Sequence, residues 1–293
     1  MSHGHSDALQ ICEVGPRDGL QNETAILSVD EKVEFVQRLA ACGLTEIEVG
    51  SFVRPEVIPQ LADSGAVFKE IQRVPGVTYS ALVPNLKGLD HALAAGVDKV
   101  AVFTSASEGF AESNIRSSIR ASIDRFREVV VQAHQAGIKV RGYVSCVIEC
   151  PYDGPTDPLD VRKVCDALRE IGIDELDLGD TIGVATPDSI SRLYEGLSEC
   201  CTPSESVLHL HNTNGRALDC ARRAFALGVR RFDASCGGLG GCPFAPGASG
   251  NLSTESLVEF LDEVDGPTGV DLPALTRVGA SMRERLGRQP SSG

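Results

Sequence analysis

The chain has no apolar run approaching the roughly 20 residues a membrane span needs, which excludes a transmembrane helix. Positive charge is in short supply. Lys and Arg number 27 against 41 Asp and Glu, a formal net charge of −14. A chain that acidic argues against broad contact with nucleic acid or an anionic membrane. A local basic cluster can still hold a phosphate-bearing ligand. The opening Met1-Ser2-His3-Gly4-His5-Ser6 has neither the cationic nor the apolar region of a signal peptide. Residues 1–8 are expected as a flexible N-terminus and the protein as cytoplasmic. No Gly-x-Gly-x-x-Gly follows the first strand-like run and no Walker loop is present, so nucleotide-binding α/β folds lose support. Nothing like a linker or low-complexity stretch divides the chain. The 10 cysteines do not form a disulfide framework, because they sit in apolar strand-like and helix-like runs without zinc-type spacing. Most read as small buried hydrophobes in a reducing compartment.

What is present is alternation. Strand-like runs fall at Leu9–Val14, Glu46–Gly50, Thr78–Val83, Lys99–Thr104, Lys139–Cys146, Glu175–Gly179, Val207–His211 and Arg231–Ser235. Helical patterns follow them at Val29–Ala41, Pro55–Gln72, Asn85–Ala95, Asn114–Ala136, Pro158–Ile171, Pro187–Ser198, Gly215–Leu227 and Thr254–Val264. Several helices end in C-cap signals, such as Cys42-Gly43, Ala95-Gly96 and Leu227-Gly228. Eight such units in a chain of 293 residues favour a closed α/β (β/α)8 TIM barrel over an open sheet. The expected layout is one barrel domain over 9–287, with Leu272–Leu286 as a C-terminal helical extension and 288–293 as a tail.

In such a barrel, reactive groups lie just after strand C-termini. On the seventh strand, His209 and His211 are two apart and face the same way, a half-site for a divalent metal or simply two polar residues on a wet face. Asp18, after the first strand, is a hard oxygen ligand or a turn-capping carboxylate in Pro16-Arg17-Asp18-Gly19. Asn251 can add an amide oxygen or cap the helix near Thr254. That oxygen-rich set points to Mg²⁺ or Mn²⁺, with Zn²⁺ open on ligand type. Arg17 can stabilise negative charge on a reacting oxygen or make a salt bridge. Glu48 must be paired if it points inward: it can position Arg17, hold a metal-bound water, orient substrate or serve structure alone. Asp180 is a base, an outer acceptor or a loop cap. Cys242 has Gly at four of the five preceding positions, so its loop can move. Its thiol can carry a proton or be a buried hydrophobe.

These residues lie in longer stretches: Glu13–Glu23, Ser51–Phe52 with Pro55 and Pro59-Gln60, Val83–Gly88, Gly142–Cys146, Gly179–Gly183, Gly238–Phe244 and Gly247–Leu252. With them the chain resembles the 3-hydroxy-3-methylglutaryl-CoA lyases of the DRE-TIM metallolyase group, from about Leu9 to Leu286. The resemblance implies that Asp18, His209, His211 and Asn251 hold a divalent metal. It implies that Arg17 stabilises a thioester enolate and that Cys242 is the catalytic cysteine. Glu48 and Asp180 fall on further active-site acids, and Arg17, Gln21 and Asn85 on the substrate-binding set. The implied reaction is retro-aldol (Claisen-type) cleavage to acetyl-CoA and acetoacetate, with an acyl-CoA substrate, a homodimer, and a place in leucine catabolism and ketone-body metabolism. The chain departs from the family's pattern at Asn212, where Asp is usual, and at Arg216, where Gln is usual. Alternatives are a lyase of citramalyl-CoA or a longer 3-hydroxy-3-alkylglutaryl-CoA, an acetyl-CoA condensing enzyme on the same fold, and a non-catalytic binding protein.

Overall fold

Eight parallel strands close on themselves in a computed structural model that describes residues 9–240 and 250–288. The strands are β1 (Gln10–Glu13), β2 (Glu46–Ser51), β3 (Thr78–Leu82), β4 (Lys99–Ser105), β5 (Lys139–Ser145), β6 (Glu175–Asp180), β7 (Ser206–Leu210) and β8 (Arg231–Ala234). Each pairs with its neighbours in sequence, and β1 closes on β8 with Gln10 opposite Arg231. Helices α1 (Val29–Ala41), α2 (Ser64–Glu70), α3 (Leu86–Ala95), α4 (Glu108–Ile115), α5 (Ile119–Gln135), α6 (Pro158–Glu170), α7 (Pro187–Leu197), α8 (Ala217–Leu227) and α9 (Thr254–Val264) lie between and after the strands, and α10 (Leu272–Arg285) follows. This is the (β/α)8 barrel with a C-terminal helix that the alternation implies.

The C-cap glycines act as read: Gly43, Gly96, Gly137, Gly172 and Gly228 all have φ between 75° and 108°, a conformation that ends a helix without a Cβ penalty. Two expected helices differ. The Pro55–Gln72 pattern is helical only over Ser64–Glu70, after a separate short turn at Pro59–Leu61. Pro59 has no N–H to give and its ring crowds the preceding turn. The Asn114–Ala136 pattern breaks where Arg116 adopts φ 50°, so α4 ends there and α5 begins after Ser118, whose side chain accepts from Ala121 N. All nine described cysteines are buried and free of disulfides. No helix among the described residues is long and apolar enough to cross a membrane.

The apolar core lies between the strands and the helices, with Ile47, Val144 and Leu178 packed against side chains such as Phe35, Phe126 and Leu168. The inside of the barrel is different. Side chains two apart on a strand share a face, and the inward set is Glu46 and Glu48 on β2, Arg141 and Tyr143 on β5, Asp177 on β6 and Asp233 on β8. Arg141 bonds Glu46 (2.8 Å), Glu175 (3.1 Å) and Asp233 (3.0 Å). Lys99 closes on Glu46 (2.6 Å) and Glu175 (2.8 Å). Such charges are tolerable out of water only because each meets a partner.

Glu13 fixes the β1–β8 seam. Its carboxylate accepts from Gly15 N (2.8 Å), Cys236 N (2.8 Å) and Thr254 Oγ1 (2.6 Å). Burial outweighs these bonds and lifts its pKa from 4.5 to about 8. An acid whose folded pKa is raised adds stability that is complete below its unfolded value and is lost as pH rises through the folded one. In Glu13→Gln, the amide oxygen accepts the two N–H groups and the NH2 donates to Thr254. Thermal melts between pH 5 and 8.5 should therefore show the wild type losing more stability toward high pH than the variant. Parallel curves would refute this.

Candidate metal and active site

The first loop at the barrel mouth is unusual. Gly15–Gly19 form a π-turn, with Gly19 N bonded to Val14 O at 3.1 Å. Such wide turns are rare and cluster at functional sites. A Cβ on Gly15 would sit 2.5 Å from the Glu13 carboxylate, so the turn needs glycine there. The turn lifts Arg17 and Asp18 side by side into the mouth, both buried.

Across the barrel, β7 delivers His209 and, just past its end, His211, with ring centroids 5.0 Å apart. Their Nε2 atoms face Asp18 Oδ2 at 3.9 and 3.7 Å. Their Nδ1 atoms are held from behind, His209 by Asp233 Oδ2 (3.0 Å) and His211 by the Asp180 carbonyl (3.1 Å). Both acceptors favour the tautomer that leaves an Nε2 lone pair free. Asn251 donates to Asp18 Oδ2 (2.9 Å) and Leu239 O (3.0 Å), while its Oδ1 is buried and has no partner among the described residues. The cap of α9 is Ser253, so Asn251 is free of that duty. One ligand atom from each of Asp18, His209 and His211 lies within 4.8 Å of the others.

The electrostatics favour a cation. Burial works to raise the Asp18 carboxyl, but Arg17 and the two imidazoles outweigh it and hold it well below the usual carboxylate range. Burial works to lower His209, yet its bond to Asp233 and the nearby Asp18 charge lift it to about 9. The carboxylate charge that stabilises a proton on His209 would also stabilise a bound cation.

Arg17 is clamped. Its Nε donates to Glu48 Oε2 (2.5 Å), its Nη1 to Asp18 Oδ1 (2.5 Å), and its guanidinium lies 5.2 Å from the Tyr143 ring centre. Its Nη2 has no hydrogen-bond partner among the described residues. A register shift in β2 between Glu48 and Gly50 re-aims this end of the strand. Burial raises the Glu48 pKa against the pull of Arg17, and its Oε1 has no partner among the described residues. Gln21 donates to Asp18 Oδ1 at 2.7 Å.

Other expected residues lie further out. Asn85 lines the same cavity while capping α3 through Gly88 N (3.0 Å). The Asp180 carboxylate accepts from Val184 N (3.2 Å) and Ala185 N (2.9 Å), a loop cap, and touches the site through its carbonyl on His211. Cys242 lies outside the described residues. The residues flanking its loop are anchored: Arg283 donates to Gly237 O (3.1 Å) and Arg288 to Gly240 O (2.9 Å).

Sequence reasoning passed over two residues. Tyr143 OH lies 3.1 Å from Glu48 and 3.3 Å from Asp233, and burial keeps it a phenol. Asp233 braces His209. A strand carboxylate that is costly to bury unless paired is the signal that singled out Glu48, and Asp233 carries it too.

The cavity over the site measures about 560 Å³. Arg17, Asp18, His209 and His211 form its inner end. Leu82, Phe103 and Phe110 give it apolar lining, and the solvent-exposed Arg54, Arg116 and Arg125 line it as well. A larger cleft of about 740 Å³ between α5 and α6 contains none of the site residues. Asn212 and Arg216 do not line the site cavity. Asn212 accepts from Ala217 N (3.0 Å) and Arg216 donates to Val184 O (3.2 Å), so both brace loops.

The model of the HMGL-like family matches residues 8–282. The chain belongs to the HMGL-like family. A relative from Pseudomonas aeruginosa, a 3-hydroxy-3-isohexenylglutaryl-CoA/hydroxy-methylglutaryl-CoA lyase, is 46% identical over 97% of this chain and 95% of its own length. An HMG-CoA lyase structure from Brucella melitensis superposes with a TM-score of 0.93 at 46% identity, covering 96% of this chain and 99% of that one. An Acinetobacter baumannii HMG-CoA lyase, solved with coenzyme A and 3-methylmalate, gives 0.91 at 38% identity over 100% and 95%. The barrel of this HMGL-like chain thus carries its acid–histidine cluster on a scaffold shared with C–C lyases.

Proposed function

We propose that the chain is a divalent-metal-dependent carbon–carbon lyase that cleaves 3-hydroxy-3-methylglutaryl-CoA to acetyl-CoA and acetoacetate. The observation that carries this is the convergence of Asp18, His209 and His211 beside the clamped Arg17 and a buried Asn251 oxygen with no partner among the described residues. An anionic oxygen, two imidazole nitrogens and an amide oxygen suit Mg²⁺ or Mn²⁺ and leave positions open for substrate. When bound there, such a metal supplies Lewis acidity to the substrate's hydroxyl and neighbouring oxygen.

The chain's own groups do the rest. Arg17, its position fixed by Glu48 and Asp18, offers Nη2 to the thioester oxygen as enolate charge develops. Glu48 Oε1, without a partner among the described residues, is an acceptor next to the reacting centre, and Tyr143 holds the other carboxylate oxygen. Asp180 acts by holding His211 and its own loop. Cys242 returns a proton to the enolate carbon. Gln21 fixes Asp18, and Asn85 meets the substrate from the cavity wall. Leu82 and Phe103 keep water from the reacting bond. Arg54, Arg116 and Arg125 give an acidic chain a local cationic lining suited to the phosphates of a coenzyme A carrier. The full reading is one barrel domain over 9–287 that works as a cytoplasmic homodimer.

Asn212 and Arg216 brace loops instead of lining the described cavity, so their departure from the usual residues does not by itself argue for a divergent substrate. The test is a cleavage assay with Mg²⁺ over a panel of 3-hydroxyacyl-CoA thioesters. kcat/KM should be highest for 3-hydroxy-3-methylglutaryl-CoA, and its pantetheine thioester should lose mainly in KM. A strong preference for citramalyl-CoA would overturn the substrate and leave the lyase chemistry standing.

A further inference from the structure

The side chains behind His209 form a rigid assembly. Asp233 sits opposite His209 in the β7–β8 register and is 1% exposed. Its Oδ2 faces His209 Nδ1 at 3.0 Å and accepts from Tyr143 OH at 3.3 Å. Its Oδ1 accepts from Arg141 Nη1 at 3.0 Å. Arg141 cannot turn away, because Glu46 and Glu175 hold its other nitrogens and Lys99 closes on the same two acids.

We propose that Asp233, locked by Arg141, is a positioning residue that sets the tautomer of His209, and that this lock makes the site intolerant of an amide at position 233. A carboxylate only accepts, so the neutral His209 ring that a metal would need must carry its proton on Nδ1 and present a bare Nε2 toward Asp18. An amide has one accepting end and one donating end. Arg141 only donates, so it pins the accepting end at the Oδ1 position. The NH2 is then forced against His209 Nδ1, which must accept. The imidazole proton moves to Nε2, between the ring and Asp18, where a metal would bind. Truncation to alanine imposes no such choice and leaves both tautomers open. The near-isosteric change is therefore the more harmful one, the reverse of the usual order. The inference rests on reading Asp18, His209 and His211 as metal ligands.

The test is Mn²⁺ titration of the metal-stripped full chain, with thermal melts alongside. D233N should bind about 10–100-fold more weakly than the wild type, within the range for lost outer-shell partners, and D233A should lie between the two. D233N binding as tightly as D233A, or tighter, overturns the inference alone. A wild type that takes up no Mn²⁺ overturns the metal reading and the inference with it. A second measurement needs no variant: ¹⁵N spectra of histidine-labelled, Mg²⁺-loaded wild type should show His209 protonated at Nδ1. A proton on Nε2 overturns the lock.

Discussion

Arg17→Gln should lower kcat by about 10²–10³-fold and leave KM for the thioester nearly unchanged, the range for removal of one preorganised donor from a developing oxyanion. Arg17 spends Nε on Glu48 and Nη1 on Asp18, which leaves Nη2 for the substrate. Glutamine keeps a polar tip but loses the charge and the fork that fixes its aim. The change also strips Glu48 of its cation, so some loss of stability is expected. The two effects separate cleanly. If Arg17 only completes a salt bridge, the variant will melt at a lower temperature while its folded fraction turns over near the wild-type rate. That result would remove Arg17 from the chemistry. Arg17→Lys should fall between, because one ammonium cannot hold Glu48 and Asp18 and still reach the oxyanion.

Exhaustive chelation should take turnover down at least about 10³-fold, the equivalent of about 4 kcal/mol of transition-state stabilisation. Mg²⁺ or Mn²⁺ should restore it. Asp18→Asn should copy the loss, because it removes the one anionic donor among Asp18, His209, His211 and Asn251. It also exchanges an acceptor of Arg17 and Gln21 for a group that partly donates. Activity and bound metal, counted on the same sample, provide the check. Full turnover in metal-free protein would sink the metal reading and with it the role given to the histidine pair.

Much of this was legible in the residues. Alternation of strand and helix, with glycine after several of the helices, predicts the barrel because most units encode their own start and stop. The His209/His211 spacing and the carboxylate after β1 point to the same mouth for the same reason: strand geometry is local. Where a helix would break was harder. Apolar spacing runs on through Ile58 and Arg116, while the backbone leaves the helical conformation at both, a separate short turn starting at Pro59. The barrel interior was the least legible part. Glu46, Lys99, Arg141, Glu175 and Asp233 each look like an isolated polar residue in a strand. They become a network only when strands more than 90 residues apart, such as those carrying Glu46 and Arg141, meet inside the barrel. Tyr143 and Asp233 belong to that layer, so their link to the site shows only in three dimensions. Cys242 stands on sequence alone.

The β1–β8 seam has a consequence for how the protein is made. Asp18 and Asn251 touch across 233 residues of chain. At about 5–20 residues per second of synthesis, roughly 10–50 s separate the two on the ribosome. During that interval Asp18 exists without its histidines, and then with them but without Asn251 or the strand that closes the ring. No partial barrel can hold the metal as the finished one does. Metal binding stabilises only the closed form, so it cannot hurry the long-range pairing that limits folding. On the metal reading, the full ligand set would be assembled only after the last strand has closed the ring.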